Sequence, residues 1–249
     1  MKIPRNTKTP IDMIAGTVHK TNSNESFEVV EYLGCLKVDI KFAGFSGIVR
    51  TTAAQIRTGE LKNPNKPSVF GFGFIGIGKH KSTSNGAVNK AYRKWVSMIE
   101  RCYCPKYRVT HPTYQGVEVC DEWKNFQVFA EWFSCNSVDG YHLDKDIKIK
   151  GSKIYSPETC LFVPACVNSL MTDHRAKRGA CKIGVHVQNG KFVATVKKGG
   201  KSVYLGTFDC EIEAHSAYLT EKNNQIDAKI KMYPYLSEYL INHKTNAQV

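Results

Sequence analysis

Alternation of apolar and polar residues predicts β-structure near the amino-terminal end of the chain. In LKVDIKF, Leu36, Val38, Ile40 and Phe42 alternate with charged residues, which is the period-two pattern of a strand with one buried face. GTVHKT before this stretch and SGIVRTT after it are further strand candidates, separated by polar or glycine-containing turns. The pattern predicts a small barrel or curled sheet.

Three short runs near the carboxyl-terminal end show a similar pattern. IGVHV, KFVATVKK and KSVYLGTF are joined by turns at Asn189-Gly190 and Gly199-Gly200, which favours a three-stranded antiparallel sheet. A helix is predicted from about Glu211, with Asp209 as its N-cap. The apolar residues of this helix are spaced to pack it onto the sheet.

Between these two β regions the apolar spacing becomes that of helices. From Asn89, the segment AYRKWVSMIERCY places Trp95, Val96 and Ile99 on one face, and DEWKNFQVFAEWF repeats the pattern from Asp121. The prolines and alternating glycines before Asn89 oppose regular helix and favour a connector.

The size of the chain fits more than one domain. Its 249 residues exceed the usual single-domain size, and 42% apolar residues exclude a chain that is disordered throughout. We predict an α+β protein of three parts: a small β module (1–65), a helical central domain (66–175) and a sheet-and-helix domain (176–249). The short, interrupted apolar runs predict a cytoplasmic protein with no membrane partner.

Charge indicates the class of partner. The formal net charge is +13, and a basic surface attracts polyanions through counterion release, so nucleic acid is the leading candidate. Residues 62–108 contain ten Lys or Arg and one acid, and residues 174–208 contain eight and none. Residues 118–146 hold seven acids, so two basic arms flank an acidic centre.

Nine cysteines in a chain without a secretory signal favour reduced thiols or a metal site over disulfides. Cys102, Cys104, Cys120 and Cys135 with His111 contain the right atom types for zinc. Their spacing is not that of a recognised zinc finger, which favours buried thiols over a structural zinc.

The carboxyl-terminal module contains a specific set of residues. The set comprises Gly184-Val185, Gly190-Lys191-Phe192-Val193-Ala194, Tyr204-Leu205-Gly206-Thr207-Phe208-Asp209, Glu213-Ala214 and Ala217-Tyr218. With it, the module resembles the APETALA-type DNA-binding domain, which also occurs in phage integrase-like and homing-endonuclease proteins. The resemblance implies a sheet that enters the major groove of double-stranded DNA. By position it implies eight DNA-binding residues: Lys182, His186, Gln188, Lys191, Thr195, Lys197, Lys201 and Tyr204.

The segment YHLDKDIKIKGSKIYSPETCLFVPACVN, which precedes this module, is similar to a divergent HNH nuclease core of the kind found in phage and mobile-element proteins. That core consists of two strands and a helix around one divalent metal. The resemblance implies that Asp144, Asp146 and Asn168 ligate Mg²⁺ or another divalent cation.

The catalytic positions depart from the HNH pattern. An HNH site needs a neutral imidazole to take a proton from the attacking water. Alignment on Asp144 puts Lys145 at the position of that histidine, and His142 lies two residues earlier on the same strand face. Tyr155 occupies the place of the motif's central asparagine. His142, Lys145 and Tyr155 are therefore the candidate catalytic residues.

Three functions stay open from the sequence. The first is a metal-dependent endonuclease of phage or mobile-element type. The second is an inactive HNH scaffold that serves as a DNA-binding regulator or as a partner of host or phage proteins. The third is a structural or protein-interaction role in which Asp144 and Asp146 pair with Lys145 and Lys148.

Overall fold

The computed structural model of this chain describes residues 8–172 and 180–245. The fold mixes helices and strands, and it divides into two compact units between Cys135 and Asn136. The predicted boundary near residue 65 falls inside the first unit, and the boundary near residue 175 lies outside the described residues. Both stay predictions. Within the described ranges, no helix is both long and apolar enough to cross a membrane.

The first unit begins with a four-stranded antiparallel sheet in chain order. Its strands are β1 (Val18–Lys20), β2 (Ser26–Tyr32), β3 (Val38–Phe42) and β4 (Val49–Thr51), followed by the helix α1 (Ala53–Thr58). Because β1 and β4 are the edges of the sheet, it is an open sheet rather than the barrel that the sequence left as one alternative. Apolar side chains of β2, β3 and α1 form its core.

Two details of this sheet differ from the prediction. Leu36, expected on the buried face, lies in the turn before β3 and is exposed, whereas Val38, Ile40 and Phe42 are buried as expected. The long strand β2 was not predicted from the pattern. Only Phe27 and Val29 of this strand are buried, so its apolar signal is short.

The rest of the first unit is mainly helical. It contains β5 (Thr83–Ser84), β6 (Ala87–Val88), α2 (Lys90–Tyr103), α3 (Pro105–Thr110), β7 (Glu118–Val119), α4 (Asp121–Lys124) and α5 (Phe126–Asn136). The predicted helix from Asn89 is confirmed as α2, which is capped by Asn89 and buries Trp95 and Ile99.

The helix predicted from Asp121 is interrupted at Asn125. The Phe74 amide donates a hydrogen bond to the Lys124 carbonyl at 2.9 Å, and the Phe126 amide donates to the Phe74 carbonyl at 2.9 Å. A distant segment therefore uses the backbone groups of this turn and separates α4 from α5.

The second unit contains a strand-strand-helix element and the three-stranded sheet. Its elements are β8 (Tyr141–Asp144), β9 (Ile154–Tyr155), β10 (Leu161–Pro164), α6 (Ala165–Met171), β11 (Val185–Gln188), β12 (Lys191–Lys198), β13 (Lys201–Phe208), α7 (Glu211–Met232) and α8 (Ser237–Ile241). The predicted antiparallel sheet is confirmed, with the order β11-β12-β13 and α7 packed against it. Apolar side chains from α6, α7 and α8 share one core with Ile147 and Val163.

The N-cap of α7 differs from the prediction. Cys210 occupies the N-cap position and makes no side-chain capping bond. The Asp209 carboxylate instead forms an ion pair with the Lys191 ammonium at 3.0 Å.

Candidate nucleic-acid interface and strand-strand-helix site

The strands β8 and β10 form an antiparallel pair that leads directly into α6. His142 lies opposite Val163 and Asp144 lies opposite Leu161, so these four side chains share one face of the pair. Val163 is fully buried together with Val167 of α6. The helix therefore packs against the face from which His142 and Asp144 project, and His142 itself is exposed.

His142 contacts Asn168 across this face. The Asn168 side-chain amide lies 3.2 Å from Nδ1 of the His142 ring, and it can only donate to that nitrogen. An imidazole that accepts at Nδ1 carries its proton on Nε2 when it is neutral. Two predicted site residues, 26 positions apart in sequence, are thus in hydrogen-bond contact.

Asp144 has a structural role. Its Oδ1 accepts hydrogen bonds from the backbone amides of Asp146 and Ile147, both at 2.8 Å, which closes the turn after β8. Burial raises the pKa of the Asp144 carboxyl, although the two amide hydrogen bonds oppose the rise. One oxygen of this carboxyl is therefore already engaged by the backbone.

Lys145, at the position of the expected catalytic histidine, is buried. Its ammonium contacts both carboxylate oxygens of Asp146 at 2.8 and 2.9 Å and donates to the Ser152 carbonyl at 2.6 Å. The ammonium lies 5.8 Å from the ring centroid of Tyr155, which is also buried. Lys145, Asp146 and Tyr155 therefore form one packed cluster. The cluster also includes the Ser152 carbonyl, a backbone group that no motif in the sequence indicated.

Two of the three predicted Mg²⁺ ligands already have other partners. Asp146 is paired with an ammonium, and Asp144 is bonded to amides. Within residues 8–172 and 180–245, no group of three or more His, Cys, Asp or Glu side chains is placed to hold a metal ion. The divalent-metal site stays a prediction.

The cysteines considered for zinc differ in exposure. Cys102 is buried, Cys104 and Cys120 are half-buried, and Cys135 is exposed.

One face of the carboxyl-terminal sheet packs against α7. Lys198 of β12 forms an ion pair with Glu221 of α7 at 3.0 Å, and Ala194 of the same strand is fully buried. Side chains alternate along a strand, so Lys191, Thr195 and Lys197 lie on the opposite side of the sheet.

The neighbouring strands add three more predicted residues to that side. Gln188 lies opposite Lys191, and Tyr204 lies opposite Thr195. His186, two positions from Gln188 on β11, shares its face. We call this surface the open face; it comprises His186, Gln188, Lys191, Thr195, Lys197 and Tyr204. Six of the eight predicted DNA-binding residues thus project from one side.

The other two predicted residues lie elsewhere. Lys201 is opposite Lys198, on the side that faces α7. Lys182 precedes β11, and its backbone amide donates to the Glu211 carboxylate at 2.5 Å. The basic residues at 175, 177 and 178 fall outside the described residues.

A β-bulge adds a residue that sequence reasoning missed. The register between β12 and β13 shifts between Ala194 and Thr195. The shift brings Tyr204 and Thr207 to the same face, where their hydroxyl oxygens are 2.8 Å apart. Gly206, with φ +148°, was the available signal, because an isolated glycine within a strand often marks a bulge.

No protein-family model, curated protein or solved structure matches this chain.

Proposed function

We propose that this chain is a double-stranded DNA-binding protein of phage or mobile-element type, which binds through the open face of its carboxyl-terminal sheet. The observation that carries the proposal is the position of six predicted contact residues on the side of the sheet away from α7. Their side chains are cationic or can form hydrogen bonds, which suits phosphates and base edges.

The dimensions of the sheet are compatible with the major groove. Adjacent strands lie about 4.8 Å apart, so the outer strands of a three-stranded sheet are about 10 Å apart. The major groove of B-DNA is about 12 Å wide. Lys191 and Lys197 would contact phosphates, and His186, Gln188 and Thr195 would reach base edges.

The packing of Lys145 supports binding without hydrolysis. The Lys145 side chain donates to Asp146 and to the Ser152 carbonyl, so it serves the structure of this turn at the position where an HNH site needs an imidazole. The strand-strand-helix element is then a scaffold, and the protein acts as a DNA-binding regulator or as a partner of host machinery.

The DNA-binding proposal predicts opposite outcomes for two neighbouring lysines of β12. Lys197 lies on the open face, whereas Lys198 is paired with Glu221 of α7. Lys197→Ala should weaken binding of a short random-sequence duplex and reduce the slope of log affinity against log salt by about one unit. The measurement is fluorescence anisotropy between about 50 and 200 mM salt.

Lys198→Ala is the matched control and should leave the slope within error. If both substitutions changed the salt slope equally, the phosphate contact would not be made by Lys197 on the open face. A chain that binds no duplex at the low-salt end would contradict the proposal altogether.

DNA nicking is the second candidate function, and the His142–Asn168 contact at 3.2 Å favours it. Supercoiled plasmid incubated with the protein and Mg²⁺ or Mn²⁺ tests it. We expect the plasmid to stay intact, because Lys145 stands where a histidine is needed. Nicking that His142→Ala abolishes and Lys150→Ala preserves would establish the second candidate and overturn the scaffold role.

A further inference from the structure

A cavity in the second unit shares no lining residue with the open face. Its volume is about 420 Å³, within the range of about 300–1,000 Å³ that is common for small-molecule sites. Four aromatic side chains line it: Tyr141, Phe162, Tyr235 and Tyr239. Tyr235 is 56% exposed, so one ring is accessible to a flat ligand.

The polar lining restricts the charge of the ligand. Lys148 is the only formally charged side chain among the described residues that line the cavity. Its ammonium donates to the Pro157 carbonyl at 3.2 Å, which holds it in the wall. A ligand with a planar ring and a negative charge would satisfy both features, since aromatic rings stack on planar groups and an ammonium attracts an anion.

Two other ionisable groups in the wall have raised pKa values. Burial raises the pKa of the Cys160 thiol to about 12, so it is not a thiolate nucleophile. Although the Tyr235 ring is exposed, desolvation of its hydroxyl and the hydrogen bond with Tyr141 raise the pKa of that hydroxyl. The cavity is therefore suited to reversible binding rather than to covalent chemistry.

We propose that this cavity binds one nucleotide of a DNA strand, with its base against the ring of Tyr235 and its phosphate at Lys148. The inference rests on the proposed DNA-binding function, which places strands near the second unit. Stacking on tyrosine tolerates any base, because every base has a π-face, so the site would accept an unpaired nucleotide without reading its sequence.

The probe is the 5′-monophosphate of 2-aminopurine deoxyriboside, whose fluorescence falls when its base stacks. The full chain should quench it saturably. Tyr235→Ala should weaken this binding about tenfold or more, and Tyr235→Phe, which keeps the ring, should preserve most of it. Lys148→Gln, and the deoxyriboside without phosphate, should each bind about tenfold more weakly. Lys150→Gln, at an exposed lysine outside the cavity, is the control.

Two results would overturn the inference: no saturable quenching, or equal binding by the wild type, Lys148→Gln and Tyr235→Ala. If Tyr235→Ala does not fold, Lys148→Gln and the phosphate-free probe decide the question. Failure here is distinguishable from failure of the proposed function, because Lys197→Ala should weaken duplex binding and leave mononucleotide binding unchanged.

Discussion

Gly184→Ala is expected to disrupt the carboxyl-terminal sheet. Gly184 has φ +79°, and a Cβ at this position would lie 2.1 Å from Cδ2 of Tyr218, a largely buried residue of α7. Because the Tyr218 ring is largely buried, it has little room to move away, so the strained backbone and the overlap act together. We expect a loss of about 3–4 kcal/mol in the free energy of unfolding of this region.

Hydrogen exchange of the amides in β12 measures this loss locally, which suits a chain of two compact units. The affinity of Gly184→Ala for duplex DNA should also fall, because the open face belongs to the same sheet.

Gly190→Ala is the matched control. Gly190 has φ +75°, but nothing lies within 4 Å of its added Cβ. Only the backbone strain applies there, so the expected loss is about 1–2 kcal/mol. Equal losses at Gly184 and Gly190 would show that the contact with Tyr218 does not limit the packing of α7.

Lys145→Ala is expected to destabilise the turn after β8 by about 2–3 kcal/mol. The substitution leaves the Ser152 carbonyl without its donor and Asp146 without its counter-ion. The Lys145 side chain is 9% exposed, whereas that of Asp146 is 51% exposed, so water can partly replace the ion pair. We therefore expect a smaller loss than the about 3–5 kcal/mol that follows when a fully buried pair is broken. Hydrogen exchange of the amides in β8 and β10 measures the effect.

Lys150→Ala provides the comparison for that experiment, since Lys150 is exposed in the same segment. Its effect should stay within about 0.5 kcal/mol. If Lys145→Ala were equally neutral, Lys145 would not hold the turn, and the structural reason for treating the element as a scaffold would be lost.

The local elements of the carboxyl-terminal module were predictable because their signals lie close together in sequence. Alternating residues define the strands, Asn189-Gly190 and Gly199-Gly200 define the turns, and the helix begins near Glu211 as expected. The bulge that brings Thr207 to the open face depends on pairing with β12 and was missed.

The first unit shows where local signals fail. DEWKNFQVFAEWF has helical spacing throughout, yet the backbone of Phe74 bonds on either side of Asn125 and interrupts the helix. The partner is about 50 residues away in sequence, so periodicity within the segment contains no information about it.

The sequence by itself determined the residue types at the candidate sites, the basic charge and most of the strands and helices. Only the tertiary structure decided how those residues are used. It paired Lys145 with Asp146, bonded Asp144 to amides and brought His142 to Asn168. It also separated Lys197 from Lys198 by facing one of them toward α7. Ion pairs and face assignments depend on distances between segments far apart in the chain, and those distances are fixed only when the strands pair and the helices pack.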